Sequence, residues 1–219
     1  MNRMEIIEQH KQNGVSFVDE SNAYIDETVR IGSGTVIEPN VCLKGKTEIG
    51  ENCVIGFGSQ LTDAKIADGV KINHSVITES YVDSGTNVGP FAYIRPNCHV
   101  GKNVKVGDFV ELKNSNIGDG TKIAHLTYIG DADVGKNINF GCGTVIVNYD
   151  GKNKFRTVIE DNAFIGCNSN LVAPVTVGQG AFTAAGSTIT EDVPEDALAI
   201  ARARQVIKTG WKRPQKIEK

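Results

Sequence analysis

Four side chains carry the strongest chemical signal in this 219-residue chain: His125, Arg95, Lys113 and Lys154. A neutral imidazole is the natural general base near pH 7. A guanidinium and ammonium groups set side by side make a cradle for a phosphate. Glu111, Tyr128, Asn148 and Tyr149 lie within three residues of matching phases of one sequence repeat, so they belong to the same neighbourhood. The bland alternatives are a solvated ladder of Glu111 with Arg95 and Lys113, of little energetic worth, and a histidine with a purely structural role. Convergence of all these groups on one insertion favours a site.

What must position them is a six-residue beat. Apolar residues return at Ile94, Val100, Val106, Leu112, Ile117, Ile123, Ile129, Val134, Phe140 and Ile146, then at Ile159, Ile165, Leu171 and Val177, with Thr183 and Ile189 completing the run. Ile31, Ile37, Leu43, Ile49, Ile55 and Leu61 keep the same step nearer the N-terminus. Such a period fits neither a helix nor an alternating strand. It fits a coil that turns a corner every six residues, three units closing one triangular lap. The fourth residue onward is small or β-branched (Thr35, Val41, Cys53, Cys98), as a second inward position requires. Glycine often follows the beat residue, which predicts turns of positive φ there. The chain therefore divides into an N-terminal helix over 1–14, an all-β prism over 15–192, and a helix over 197–209 that leads into a basic tail ending at 219.

Residues 17 or 18 apart fall one above another, about 4.8 Å apart. One column is Ile94, Leu112, Ile129 and Ile146; Arg95 and Lys113 directly follow its first two members. A second column is Val106, Ile123, Phe140, Ile165 and Thr183, and two residues beyond these stand Asp108, His125, Cys142, Cys167 and Ala185. The beat breaks once, stretching to 13 residues between Ile146 and Ile159, so a loop bearing Asn148, Tyr149 and Lys154 leaves the prism beside the cations. Insertions on a rigid repeat commonly carry function.

A net charge of −3 with no broad basic face argues against nucleic acid as partner. No leader-like segment or long apolar run is present, so the expectation is a cytoplasmic protein with no membrane contact. Five cysteines without CxxC spacing read as reduced thiols, two of them in the core. His10, His74 and His99 share no column with His125, so no metal site is predicted.

Several ordered segments carry a family resemblance. They are Gly89-Pro90-Phe91-Ala92-Tyr93-Ile94-Arg95-Pro96, Val110-Glu111-Leu112-Lys113, Ala124-His125-Leu126-Thr127-Tyr128-Ile129-Gly130-Asp131, Asn148-Tyr149-Asp150-Gly151 with Lys154-Phe155, Leu171-Val172-Ala173-Pro174-Val175 and Ala199-Ile200-Ala201-Arg202. The chain resembles the C-terminal half of the bacterial bifunctional glucosamine-1-phosphate acetyltransferase / N-acetylglucosamine-1-phosphate uridyltransferase family, one of the hexapeptide-repeat acyltransferases. The resemblance implies a left-handed parallel β-helix and acetyl transfer from acetyl-CoA to glucosamine 1-phosphate, without a metal. It implies catalysis by His125, oriented by Glu111. Arg95, Lys113 and Lys154 would hold the phosphate, with Tyr128, Asn139 and Asn148 on the sugar. Asn148, Tyr149, Cys167, Ala185 and Arg202 would face acetyl-CoA; the family often has Ser where Cys167 stands. Arg204, Lys208, Lys212 and Arg213 would add charge for the coenzyme phosphates, whereas Lys216 and Lys219 read as plain soluble tail. The product would feed UDP-N-acetylglucosamine and cell-wall precursor synthesis. A homotrimer with sites between subunits is expected. Nothing resembles the family's uridyltransferase half, so that activity and its Mg²⁺ are not expected, and the chain reads as an engineered piece of the longer enzyme. The rival readings are a hexapeptide acyltransferase with another acceptor and a non-catalytic β-helix trimerisation module.

Overall fold

Six-residue spacing puts one aliphatic side chain inside each flat side of a triangular coil. The computed structural model, which describes residues 2–213, has that form. Short parallel strands lie on three faces. The first face stacks Ile37, Ile55, Ile72, Val88, Val106, Ile123, Phe140, Ile165 and Thr183. The second stacks Leu43, Leu61, Ile77, Ile94, Leu112 and Ile129, and further up Ile146, Leu171 and Ile189. The third carries nine strands, from Ile31 and Ile49 to Ile159 and Val177. These residues are buried along the axis, and so are Thr35, Val41, Cys53 and Cys98 at the second inward position. Each large aliphatic enclosed this way contributes about 1.5–3 kcal/mol. The architecture is the predicted all-β prism, a parallel β-solenoid of stacked coils of the kind a β-helix has.

Two nine-residue strands, Lys105–Lys113 and Lys122–Gly130, run without a break around the edge between the first and second faces. Their register pairs Asp108 with His125 and Glu111 with Tyr128, and sets Lys113 beside Gly130. This double strand is the platform of the site.

Three expectations are corrected. The glycines after the beat residues mostly lack positive φ; the left-handed positions are taken chiefly by Asn and by other glycines, such as Asn97, Asn114 and Gly120. Glycine is needed after the beat residue because coils touch there: a Cβ on Gly107 would lie 1.9 Å from the carbonyl oxygen of Ala124. Second, no helix forms over 197–209. Leu198–Ala199 is a strand paired with Phe182–Thr183, so the prism runs on past 192. Beyond it Val206, Ile207 and Trp211 are exposed, and without a surface to pack on a short helix has little stability. Third, the first helix spans Arg3–Gln12, with Asn13 as its C-cap, and not the whole of 1–14. Its Asn2 and Glu5 form a capping box, and Ile6, Ile7 and His10 are its buried residues. Lys216 and Lys219 lie outside the described residues. Among the described residues no helix is long and apolar enough to cross a membrane.

Candidate active site

The double strand brings the predicted cations to the second face in the predicted column. Arg95 Nη1 donates to Glu111 Oε1 at 2.8 Å, and both side chains are 40 % exposed. The Glu111 hydrogen bond is the main cause that lifts the already high pKa of the Arg95 guanidinium. One coil on, Lys113 Nζ donates to both oxygens of Asp131 at 3.0 and 3.2 Å. Here only 19 % and 9 % of the two side chains are exposed. Burial pulls the Lys113 ammonium down, yet the hydrogen bonds and charge of Asp131 outweigh it and hold the pKa above the ordinary lysine value. Lys154 comes within side-chain reach of Lys113. Tyr128 folds back so that its hydroxyl lies over Gly130, alongside Lys113 in the register.

The insertion is an antiparallel turn that closes with a bridge between Tyr149 and Lys154. Asp150 organises it by accepting from the amides of Lys152 and Asn153 at 2.7 and 2.5 Å. The Tyr149 hydroxyl donates to the Gly151 carbonyl at 2.7 Å, and its ring is exposed. The loop is pinned at its root. The Asn148 amide donates to Asp131, and Arg156 forms a two-pronged pair with Asp133 at 2.5 and 2.7 Å. Asn148 is 7 % exposed.

His125 stands on the edge, half exposed, where the double strand turns. Its orienting partner is not Glu111, as expected, but Asp108, whose Oδ1 lies 2.7 Å from Nδ1. Glu111 is engaged one face away by Arg95, and the strand register explains the exchange: Asp108, not Glu111, is the residue directly beneath His125. The hydrogen bond from His125 is the main cause holding the Asp108 carboxyl below its usual range. An Asp accepting from Nδ1–H fixes the tautomer and leaves Nε2 as the basic nitrogen.

Above His125 the same edge continues through Cys142, Cys167 and Ala185, as the column rule predicts. Its ladder runs from the Gly143 amide to the Leu126 carbonyl, from Asn168 to Cys142, and from Gly186 to Cys167. Arg202 crosses Gly186 at the top. Asn139 lies on the first face, between Lys122 and Phe164 in register, so a corner separates it from the cations on the second. Asp108 and Asp131 were the residues whose roles the sequence reading missed. Both were findable, since Asp108 is 17 residues before His125 and Asp131 is 18 after Lys113. Among the described residues no three metal-ligating side chains are grouped.

The six-residue repeat has a direct counterpart in a known model. Residues 28–63 and 156–191 match the bacterial transferase hexapeptide (six repeats) family. Over those residues the chain carries the same six-residue repeat as the hexapeptide transferases. Residues 76–150, which contain the double strand, match the GMPPB C-terminal domain. Among curated relatives, the bifunctional protein GlmU of Clostridioides difficile is 57 % identical over 95 % of this chain and 46 % of its own length. GlmU of Acetivibrio thermocellus is 59 % identical over 95 % of this chain and 45 % of its own. The chain thus spans about half the length of the curated relatives it matches. Of the solved structures, an Arabidopsis UDP-N-acetylglucosamine acyltransferase superposes with a TM-score of 0.58 at 18 % identity, over 86 % of this chain and 66 % of its own. At that identity the likeness is one of fold.

Proposed function

We propose that the chain transfers the acetyl group of acetyl-CoA to the 2-amino group of glucosamine 1-phosphate. The observation that carries the reading is an imidazole, backed by a carboxylate at 2.7 Å, between a three-cation patch and an edge of small residues. Arg95, Lys113 and Lys154 offer charge to a phosphate, which a neutral acceptor would not use. The edge over Cys142, Cys167 and Ala185 leaves room for an extended thioester arm, with Arg202 at its far end for the coenzyme phosphates. In this reading Tyr149, exposed on the loop, serves acetyl-CoA, and Asn139 on the first face serves the sugar.

In the proposed reaction, the amine nitrogen attacks the thioester carbonyl carbon, forming the C–N bond. His125 Nε2 accepts the proton that nitrogen loses, and Asp108 stabilises the resulting imidazolium. Collapse of the tetrahedral intermediate breaks the C–S bond, and the leaving thiolate takes the proton from His125. No covalent enzyme intermediate is needed, so Cys142→Ala and Cys167→Ala leave turnover largely intact. His125→Ala lowers kcat by about 10²–10⁴-fold. Because His125 is half exposed, its removal changes stability little.

The edge carries Leu126 beside His125, and Phe109 and Phe91 in the coils below, all between 54 and 58 % exposed. Such a line of apolar groups supports a homotrimer in which a neighbouring prism covers the edge and completes the site. Light scattering that found an active monomer would overturn this arrangement. The direct test of the activity is release of CoA thiol from acetyl-CoA with glucosamine 1-phosphate, compared with glucosamine and glucosamine 6-phosphate. Selective release with the first acceptor is expected; equal rates with all three would reject the phosphate cradle.

A further inference from the structure

Asp131 occupies a corner that does not itself call for an acid. The corner needs a residue tolerant of positive φ, and Asn97 and Asn114 supply one in the two coils below. Asp131 has a φ of 52° in the same position, yet its side chain is only 9 % exposed. A buried carboxylate is unfavourable unless its oxygens are occupied. Here they accept from three directions: Lys113 Nζ at 3.0 and 3.2 Å, Asn114 Nδ2 at 2.6 Å, and Asn148 Nδ2. Main-chain bonds add two further ties. The Asp131 amide donates to the Lys113 carbonyl at 2.9 Å, and its carbonyl accepts from Thr157, just past the inserted loop, at 3.1 Å.

We infer that Asp131 is a positioning residue, which locks the Lys113 ammonium to the root of the inserted loop and so fixes the acceptor-phosphate subsite. The inference rests on the acetyl-transfer reading and deepens it. Lys113 comes from the prism and Lys154 from the loop, and a phosphate gripped by both needs their separation fixed beforehand. Asp131 is the one described side chain bonded to both Lys113 and Asn148. A carboxylate that merely masked the lysine charge would weaken phosphate binding, and its removal would tighten it. A positioning carboxylate has the opposite signature.

The test compares wild-type chain, Asp131→Asn and Asn148→Ala in thiol-release kinetics and in hydrogen exchange over residues 149–155. Asp131→Asn keeps the side-chain volume. It is expected to raise KM for glucosamine 1-phosphate on the order of 10–10²-fold, because misplaced groups lose their grip without losing their chemistry. Its kcat/KM for glucosamine, which lacks the phosphate, changes far less, and exchange in the loop accelerates. Asn148→Ala cuts the loop side alone, so it speeds loop exchange and raises the same KM by a smaller factor. An unchanged or lower KM for glucosamine 1-phosphate in Asp131→Asn overturns the inference, as does an equal loss with both acceptors. If Asp131→Asn does not fold, Asn148→Ala decides: faster loop exchange with a raised KM supports the lock, and no change in either sinks it. Wild-type chain that releases no thiol with glucosamine 1-phosphate removes the activity reading instead. The lock is then judged on loop exchange alone, supported by acceleration in Asp131→Asn and refuted by its absence.

Discussion

Two cation–carboxylate pairs sit one coil apart on the same face, and they are physically unlike. Arg95–Glu111 is a single contact at 2.8 Å between side chains 40 % exposed. Lys113–Asp131 is a two-contact pair with 19 % and 9 % exposure, tied to two asparagines. A pair of the first kind is worth about 0–1 kcal/mol and is exchanged readily for a better partner. Breaking the second strands a buried charge, which costs about 3–5 kcal/mol. The same two charges thus give a movable cation at Arg95 and a fixed one at Lys113. A phosphate arriving at the patch can take Arg95 from Glu111 easily, while Lys113 stays where Asp131 holds it.

The contrast can be broken most directly at Lys113. Lys113→Met keeps the stem and removes the charge, and should lower unfolding free energy by about 3–5 kcal/mol in denaturant titration. A loss below about 1 kcal/mol would mean the pair is no more than a surface contact.

Acid sharpens the same point. In the native protein Asp131 is held below its usual range: burial pushes its carboxyl up, but the bonds from Asn114, Lys113 and Asn148 outweigh it. Its unfolded value is about 3.9. A depressed folded pKa contributes stability in full above the unfolded value, and that contribution is lost as pH falls through the folded one. In Lys113→Met the bond and charge of the ammonium no longer lower Asp131, so its folded pKa moves up and acid costs the variant less than wild type. The gap in melting temperature between the two proteins should therefore narrow as pH falls through and below about 4. A constant gap would contradict the buried pair.

Arg95→Met should change stability by less than about 1 kcal/mol while raising KM for glucosamine 1-phosphate. A stability loss matching that of Lys113→Met would erase the distinction. The smallest effect expected is that of salt. At 1 M NaCl the Debye length is about 3 Å, so whatever Arg95–Glu111 contributes disappears and the Lys113 pair persists. Thermal melts of the two variants against wild type at low and high salt measure it.

Much of this was legible in order along the chain. The beat fixed which residues face the axis, down to Cys53 and Cys98, because a triangular coil has only two inward positions per side. The broken step at Ile146 located the insertion, and the 17- or 18-residue column placed Arg95, Lys113 and the His125 edge. The reading of glycine had the wrong cause, since contact between coils is invisible until their spacing is known. The helix expected at 197–209 followed local composition, but the open end of the prism offered Leu198–Ala199 a strand to pair with.

The sequence by itself determined the winding, because periodic burial leaves one way to enclose its aliphatic residues. It also determined which side chains share an edge, since rise per coil is set by backbone hydrogen bonds. Only the tertiary structure decided which carboxylate serves which cation or imidazole. That choice turns on whether a side chain at a corner points inward or out, and on how much water remains around it. Asp108 and Asp131 took the roles because the corners aim them at His125 and Lys113, whereas Glu111 lies flat on a face beside Arg95.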